Sequence, residues 1–350
     1  MNGTKNTYIY LVISLVCICF VNTKCRKNEM VFSQQLELEA KVITIPSVNN
    51  PKYVRIIDSC LIVTEKNMEN GFIKVFQKNN LTFLSSAGRF GKGPGEIVNP
   101  ARSFVDEENR ILWCPDWGKH KIWLFPLDSI LQKSNYLPNY SVPIPTKLMP
   151  IRGLNIYNHK IFAFINFSPF ISFLNHTGEE IDSLGIRNPF RIDFWDKLSL
   201  SEMSYSFIFK PDRTKIFIAS QFENFIGGID INGEILFTSE GSKVKEIISG
   251  THRDKIKTYG QLQADDKYIY CLYSGKGKGI LQQQGKKKQY TIRYPDKIRV
   301  FNWNGTPIAE IQLEFPLFFM AVDKELHRIY GMAPEVSPSL VYYELPDFEK

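Results

Sequence analysis

The run Ala87-Gly88-Arg89-Phe90-Gly91-Lys92-Gly93-Pro94-Gly95-Glu96-Ile97-Val98-Asn99-Pro100 decides how this chain is read. Its four glycines and two prolines exclude a helix or a central strand, and glycine lets the backbone turn through positive φ. The run therefore reads as a tight connector between strands. A phosphate-binding reading fails on spacing. A P-loop requires Gly-x-x-x-x-Gly-Lys-Ser/Thr opening a helix, the dinucleotide fingerprint requires Gly-x-Gly-x-x-Gly behind a strand, and neither is present.

Outward from the connector, six short apolar strands recur, each followed across a polar loop by a second strand. They are Cys60–Thr64 with Ile73–Phe76, Ile111–Cys114 with Ile122–Phe125, Ile161–Ile165 with Ile171–Leu174, Ile216–Ser220 with Ile226–Ile229, Tyr268–Tyr273 with Ile298–Phe301, and Arg328–Met332 with Leu340–Tyr343. The second strands start at positions 73, 122, 171, 226, 298 and 340, a spacing that suits propeller blades carrying insertions. Asn175-His176-Thr177-Gly178, Ile231-Asn232-Gly233 and Asn302-Trp303-Asn304-Gly305 read as hairpin turns, and Glu234–Thr238 as a last strand.

One small sheet cannot keep both of its faces dry. Sheets stacked radially cover one another, and a closed ring leaves only short protected edges. The sixth unit, with inner strands near Leu317–Met320 and Arg328–Met332, lacks an outer strand before Lys350, whereas Leu36–Ile45 alternates apolar and polar residues. The expected fold class is all-β: a six-bladed β-propeller over residues 36–350, closed by an N-terminal strand. Pro126–Arg152 is proline-rich and reads as irregular surface decoration, and Ile192–Tyr205 has room for a helical turn or two.

The connector resembles the Gly-Arg-x-Gly-x-Gly-Pro-Gly-Glu signature of NHL-type and TolB-like six-bladed propellers, many of them bacterial envelope lipoproteins. Pro211-Asp212-Arg213-Thr214-Lys215 is similar to the Pro-Asp-Gly-x-Lys turn of TolB-type blades, with Arg213 in place of the glycine. The resemblance covers roughly Tyr53 to the carboxyl end. It implies that the connector carries the chain from one blade's outer strand to the next blade's inner strand, and it is nearly silent about chemistry.

Composition agrees with a globular domain: 43% hydrophobic, 13% aromatic and 23% charged residues allow a substantial core and argue against disorder. Tyr8–Val21 is an apolar run of signal-peptide length behind Lys5, so residues 1–24 are expected to be a signal peptide and 25–35 a tether. Cys25 stands where a lipidated cysteine would be, although Asn22-Thr23-Lys24 is a poor lipobox; an uncleaved anchor, or acylation nearer Cys19, is the alternative. The expected location is the cell envelope, as an outer-membrane lipoprotein. Cys60, Cys114 and Cys271 have no Cys-x-x-Cys spacing and read as core residues.

In propellers generally, the crossings between blades and the loops joining each blade's second and third strands emerge on one face, around the channel mouth. On these strand assignments Arg89, Lys92 and Glu96 lie there, with Asp116, Trp117 and His120 of the second blade and the insertion Ser274–Lys297 of the fifth. That insertion carries Lys276, Lys278, Lys286, Lys287, Lys288, Arg293 and Lys297 against Asp296, which makes the basic character of the chain local. It reads either as a solvated hairpin or as a lid guiding an acidic glycan, lipid head group or acidic protein segment. Nucleic acid does not fit an exported chain without a stacking platform. For catalysis His120 would be the base and Asp116 its orienter, four positions apart. His159, His176, His252 and His327 fall at scattered turns and strand edges, so no metal triad and no cofactor motif is visible. Trp117 reads more readily as blade packing than as a stacking platform.

The expected function is a non-catalytic binding or scaffolding module at the cell envelope. Its partners would be an envelope protein, a peptide or an anionic glycan, with a lipid anchor holding it to the membrane. The alternative is a metal-assisted hydrolase or lyase acting in the central channel.

Overall fold

The computed structural model describes residues 30–349 apart from 46, 66–70, 147–152, 159–160, 166–169, 186–204, 222–223, 242–256, 277–278, 285–286, 292–293 and 338. An amino-terminal strap comes first, β1 (Gln34–Leu38) and β2 (Lys41–Val42). Blade one holds β3 (Pro51–Ile57), β4 (Cys60–Glu65), β5 (Ile73–Gln77) and β6 (Phe83–Ala87), paired in that order. Blade two holds β7 (Phe104–Asp106), β8 (Ile111–Asp116), β9 (Lys121–Pro126) and, after α1 (Leu127–Gln132), β10 (Ser141–Pro143). Blade three is β11 (Gly153–Asn158), β12 (Ile161–Ile165), β13 (Phe170–Asn175) and β14 (Glu180–Gly185). Blade four is β15 (Tyr205–Phe209), β16 (Lys215–Ser220), β17 (Phe225–Asp230) and β18 (Ile235–Glu240). Blade five holds β19 (Lys257–Ala264) and β20 (Tyr268–Lys276), then a separate hairpin of β21 (Gly279–Gln284) and β22 (Lys287–Thr291), then β23 (Lys297–Asn302) and β24 (Pro307–Leu313). Blade six has β25 (Phe319–Asp323), β26 (Arg328–Met332) and β27 (Leu340–Glu344).

The inner strands β3, β7, β11, β15, β19 and β25 each touch the next, and β25 returns to β3. The ring is closed. One apolar cluster fills each seam between blades, as expected of sheets that must shield one another. Ile62, Phe72 and Val75 of blade one meet Leu112, Cys114 and Phe125 of blade two, for example, and Val54 and Leu61 meet Phe319 and Met332 across the last seam. Cys60, Cys114 and Cys271 are buried free thiols in these seams. The hairpin turns carry positive φ at Gly178, Gly233 and Gly305, and Arg213 takes φ +63 where the related turn has glycine.

The strap differs from the single closing strand expected. β1 pairs in parallel with β24, Leu36 opposite Ile311, and becomes a fifth strand on blade five. Only β2 closes blade six, antiparallel to β27 with Lys41 opposite Tyr342. Between them the chain steps from one blade edge to the next, where the Ala40 N–H donates to the Glu314 carboxylate at 2.8 Å. Contact with the propeller starts ahead of residue 36, for the Phe32 ring stands edge-on to Phe301 with centroids 5.4 Å apart.

The proline-rich stretch after Pro126 also differs from expectation. It contains α1, whose Leu127 and Ile130 are buried in the first seam, and β10, which supplies blade two's outer strand. Residues 192–204, like the signal segment, Cys19, Cys25, His159, His252 and Lys286, lie outside the described residues.

Candidate functional site

The connector folds as a closed clasp. Glu96 receives the Arg89 Nε at 2.7 Å through one carboxylate oxygen and the Gly93 N–H at 2.8 Å through the other. The Gly93 N–H, with Arg89 and Lys119 adding to it, holds the Glu96 carboxyl below its ordinary range against the opposing effect of desolvation. Gly88 has φ +75, and a Cβ there would lie 2.3 Å from the Phe72 ring, so only glycine fits.

The loop after β8 locks onto this clasp from the next blade. Asp116, fully buried, accepts backbone N–H groups from Val98 at 3.0 Å, Asn99 at 2.9 Å, Gly118 at 3.0 Å and Lys119 at 3.3 Å. Lys119 Nζ donates to the Gly93 and Glu96 carbonyls at 2.8 and 2.7 Å. The connector and the Asp116 loop, both expected on this face, do meet, through contacts that hold the loops to each other. Asp116 and His120 share no hydrogen bond; His120 takes φ +50 and its carbonyl accepts the Ile144 N–H at 2.8 Å. Arg89 and Lys92 are exposed on the outer part of the clasp, away from the channel lining. Trp117 packs on the seam between blades two and three and also lines the channel mouth. Lys287 and Lys288 belong to β22, beyond the ring strands of blade five.

A different set of residues faces the channel. Polar side chains on inner strands stitch several blades to the next one's backbone. Asn155 donates to the Phe207 carbonyl, Ser206 to the Gly260 carbonyl at 2.8 Å, and Gln261 bonds both the N–H and the carbonyl of Met320 at 2.8 and 2.7 Å. Arg55 does the same between blades one and two, its Nε and Nη2 donating to the Ser103 carbonyl while Nη1 donates to that of Val54.

Two cavities open along the axis. One, of about 660 Å³, lies at the turns between first and second strands; the other, of about 420 Å³, lies where the crossings deliver the chain into the inner strands. Arg102, Phe104 and Asn155 line both and mark the waist between them. The crossing-side cavity is bounded by Lys52, Tyr53, Trp117, Tyr205 and Gln221 among others, and no described residue lining it is acidic. The wider cavity carries a mixed rim that includes Asp106, Glu107, Asp265, Asp323 and Glu325 together with Lys78, Lys210 and Arg213. Among the described residues no three His, Cys, Asp or Glu side chains converge as a metal site would require.

With this geometry in hand, comparison with known proteins decides the family. The family model described as TolB-like 6-blade propeller-like matches residues 28–325. The chain belongs to that family. Among solved structures, this TolB-like propeller is similar to a member of the DUF4221 family from Bacteroides vulgatus ATCC 8482, with 11% identity, 91% of this chain and 98% of that chain covered, and a TM-score of 0.55. It is also similar to a protein of Bacteroides fragilis NCTC 9343 named for its inferred export, with 14% identity, 88% and 98% coverage and a TM-score of 0.49. No curated protein matches it in sequence. At these identities the likenesses speak to fold alone, and for this TolB-like propeller chemistry has to be argued from its own side chains.

Proposed function

We propose that this TolB-like propeller is an exported, non-catalytic binding module of the cell envelope that takes its ligand at the crossing-side mouth of the central channel. The observation that carries the reading is a division of labour. Asp116, a buried carboxylate of the crossing face, is saturated by four backbone N–H groups, and Glu65 at the same position of blade one is held by Lys74 and two backbone N–H groups, whereas the mouth beside Asp116 gathers aromatic and amide side chains from several blades. Pre-formed concave sites lined by aromatics with a few polar groups are how rigid scaffolds bind small ligands and chain ends. The apolar run Tyr8–Val21 followed by Cys25 supports export and lipid anchoring, and the basic insertion supports an anionic glycan, peptide or envelope protein as partner.

The test is saturable binding of defined anionic glycans and envelope peptides to the purified mature chain. Trp117→Ala and Lys52→Glu lower affinity at least tenfold while the folded state persists, and reversal of Lys286, Lys287 and Lys288 lowers it mainly at low salt. Binding unchanged in both mouth variants would overturn the reading. Radiolabelled palmitate incorporated by the wild type and lost in Cys25→Ala checks the anchor.

A further inference from the structure

Arg102 at the waist of the channel and Arg55 on the wider side of it stand in an unusual electrostatic setting. Their guanidinium carbons lie 4.2 and 5.3 Å from the centre of one ring, Phe319, and Arg102 also lies 5.5 Å from that of Phe104. Arg55 is 5% exposed, and its donors go only to neutral carbonyls, those of Ser103 and Val54. The Arg102 Nε is shut from solvent without a hydrogen-bond partner, and among the described residues no carboxylate lies within ion-pair distance of either guanidinium. An isolated buried charge such as Arg55 is costly, and the half-buried Arg102 beside it, of like sign, repels it as well. Aromatic faces offset part of this. Burial pushes Arg102 down to about 10, and Arg55 is lowered by burial first and then by Arg102 itself.

We infer that the waist is an oxyanion site, in which the Arg102 guanidinium, with that of Arg55 beside it over Phe319, receives a carboxylate or phosphate group carried by the ligand. The inference rests on the channel-mouth reading above and adds the ligand's chemical class. Arginine forks match such groups with two parallel N–H donors, and an anion would supply the missing counter-charge. The charge distribution sets the direction of approach. The crossing-side cavity is lined by Lys52 and Arg102 and by no described acidic residue, whereas the opposite rim carries Asp106, Asp265 and Asp323. Those three are already engaged, by Asn109, by Tyr268 and Tyr270, and by Lys78 respectively. An anionic group therefore comes in past Tyr53 and Trp117 and stops at the arginines.

The experiment titrates sodium acetate, sodium phosphate and sodium chloride, at matched ionic strength, into the full mature chain and its Arg102→Met and Arg102→Lys variants, reading melting temperature and calorimetric heat. The expected result is saturable stabilisation of the wild type by acetate, phosphate or both, beyond that of chloride, with loss of the response in Arg102→Met and at least fivefold weakening in Arg102→Lys. Response to acetate alone marks a carboxylate ligand and response to phosphate alone a phosphorylated one. In low-anion buffer Arg102→Met melts no lower than the wild type, since a repulsive charge has gone. Equal, unsaturated responses to all three salts, or an undiminished response in Arg102→Lys, would overturn the proposal. Loss of ligand capture in Trp117→Ala with the small-anion response intact concerns the mouth. Capture intact in a wild type without an anion response removes only the oxyanion site.

Discussion

Lys78 Nζ lies 3.1 Å from Asp323 Oδ1 where the last blade meets the first, with the two side chains only 3% and 1% exposed. Glu325 adds a second contact at 2.6 Å from the rim. Burial alone would lower the Lys78 pKa, but the hydrogen bonds it donates to Glu325 and Asp323 leave it raised. Removing Lys78 leaves the buried Asp323 carboxylate without its counter-charge, so Lys78→Met should cost about 3–5 kcal/mol, and Asp323→Ala less, because Glu325 still holds the ammonium. The double variant Lys78→Met/Asp323→Leu recovers most of that loss. Urea unfolding followed by tryptophan fluorescence measures all three.

Gln261 tests the stitching between blades. Its amide matches both backbone groups of Met320, which have no solvent to turn to. Gln261→Met keeps the volume and removes both partners, and an expected loss of about 1–3 kcal/mol per orphaned group makes it a strong destabiliser. The decisive measurement is the denaturation midpoint, alongside amide exchange at Met320. An unchanged midpoint would show that these bonds are dispensable.

In blade five, Glu310 on β24 contributes to the response to acid. Burial would raise the Glu310 carboxyl, but hydrogen bonds from Lys297 at 2.5 Å and Arg299 at 2.8 Å leave it lowered. A carboxyl lowered by folding contributes its stability fully above its unfolded value near 4.5 and loses it as pH falls through the folded value. Melting temperature in the wild type should thus fall between about pH 5 and 3 more steeply than in Glu310→Gln. Parallel curves would exclude this pair as a source of the acid response.

Asp116 separates structure from chemistry on the crossing face. Asp116→Asn keeps the shape but replaces one acceptor oxygen by a donor facing backbone N–H groups, so about 1–3 kcal/mol of stability should go for each orphaned N–H. Ligand affinity at the mouth, corrected for the folded fraction, should remain within about twofold, far from the 1.4 kcal/mol that a tenfold change represents. Calorimetric titration on the folded variant provides the comparison.

The blades were legible because each strand is short, apolar and bounded by turn residues whose backbone demands are local, as at Gly178, Gly233 and Gly305. The clasp was legible for the same reason, and so was its meeting with the Asp116 loop. What escaped sequence reasoning depends on distant partners. Leu36–Ile45 carries one alternation, and nothing in that alternation says it will serve two sheets; the decision is made by Glu314 at the step. The arginine pair joins positions 55, 102 and 319, which only ring closure brings together. One signal was available: Arg55 interrupts the apolar run Val54-Arg55-Ile56-Ile57, and a charge within a buried strand asks for a partner.

The divided strap also bears on how the molecule carries load. A pull on its amino end reaches the parallel register of Gln34–Leu38 on blade five before it reaches Lys41–Val42 at the last seam. Tension is therefore spent on an accessory strand, and the joint that keeps the circle shut lies downstream of a sacrificial one.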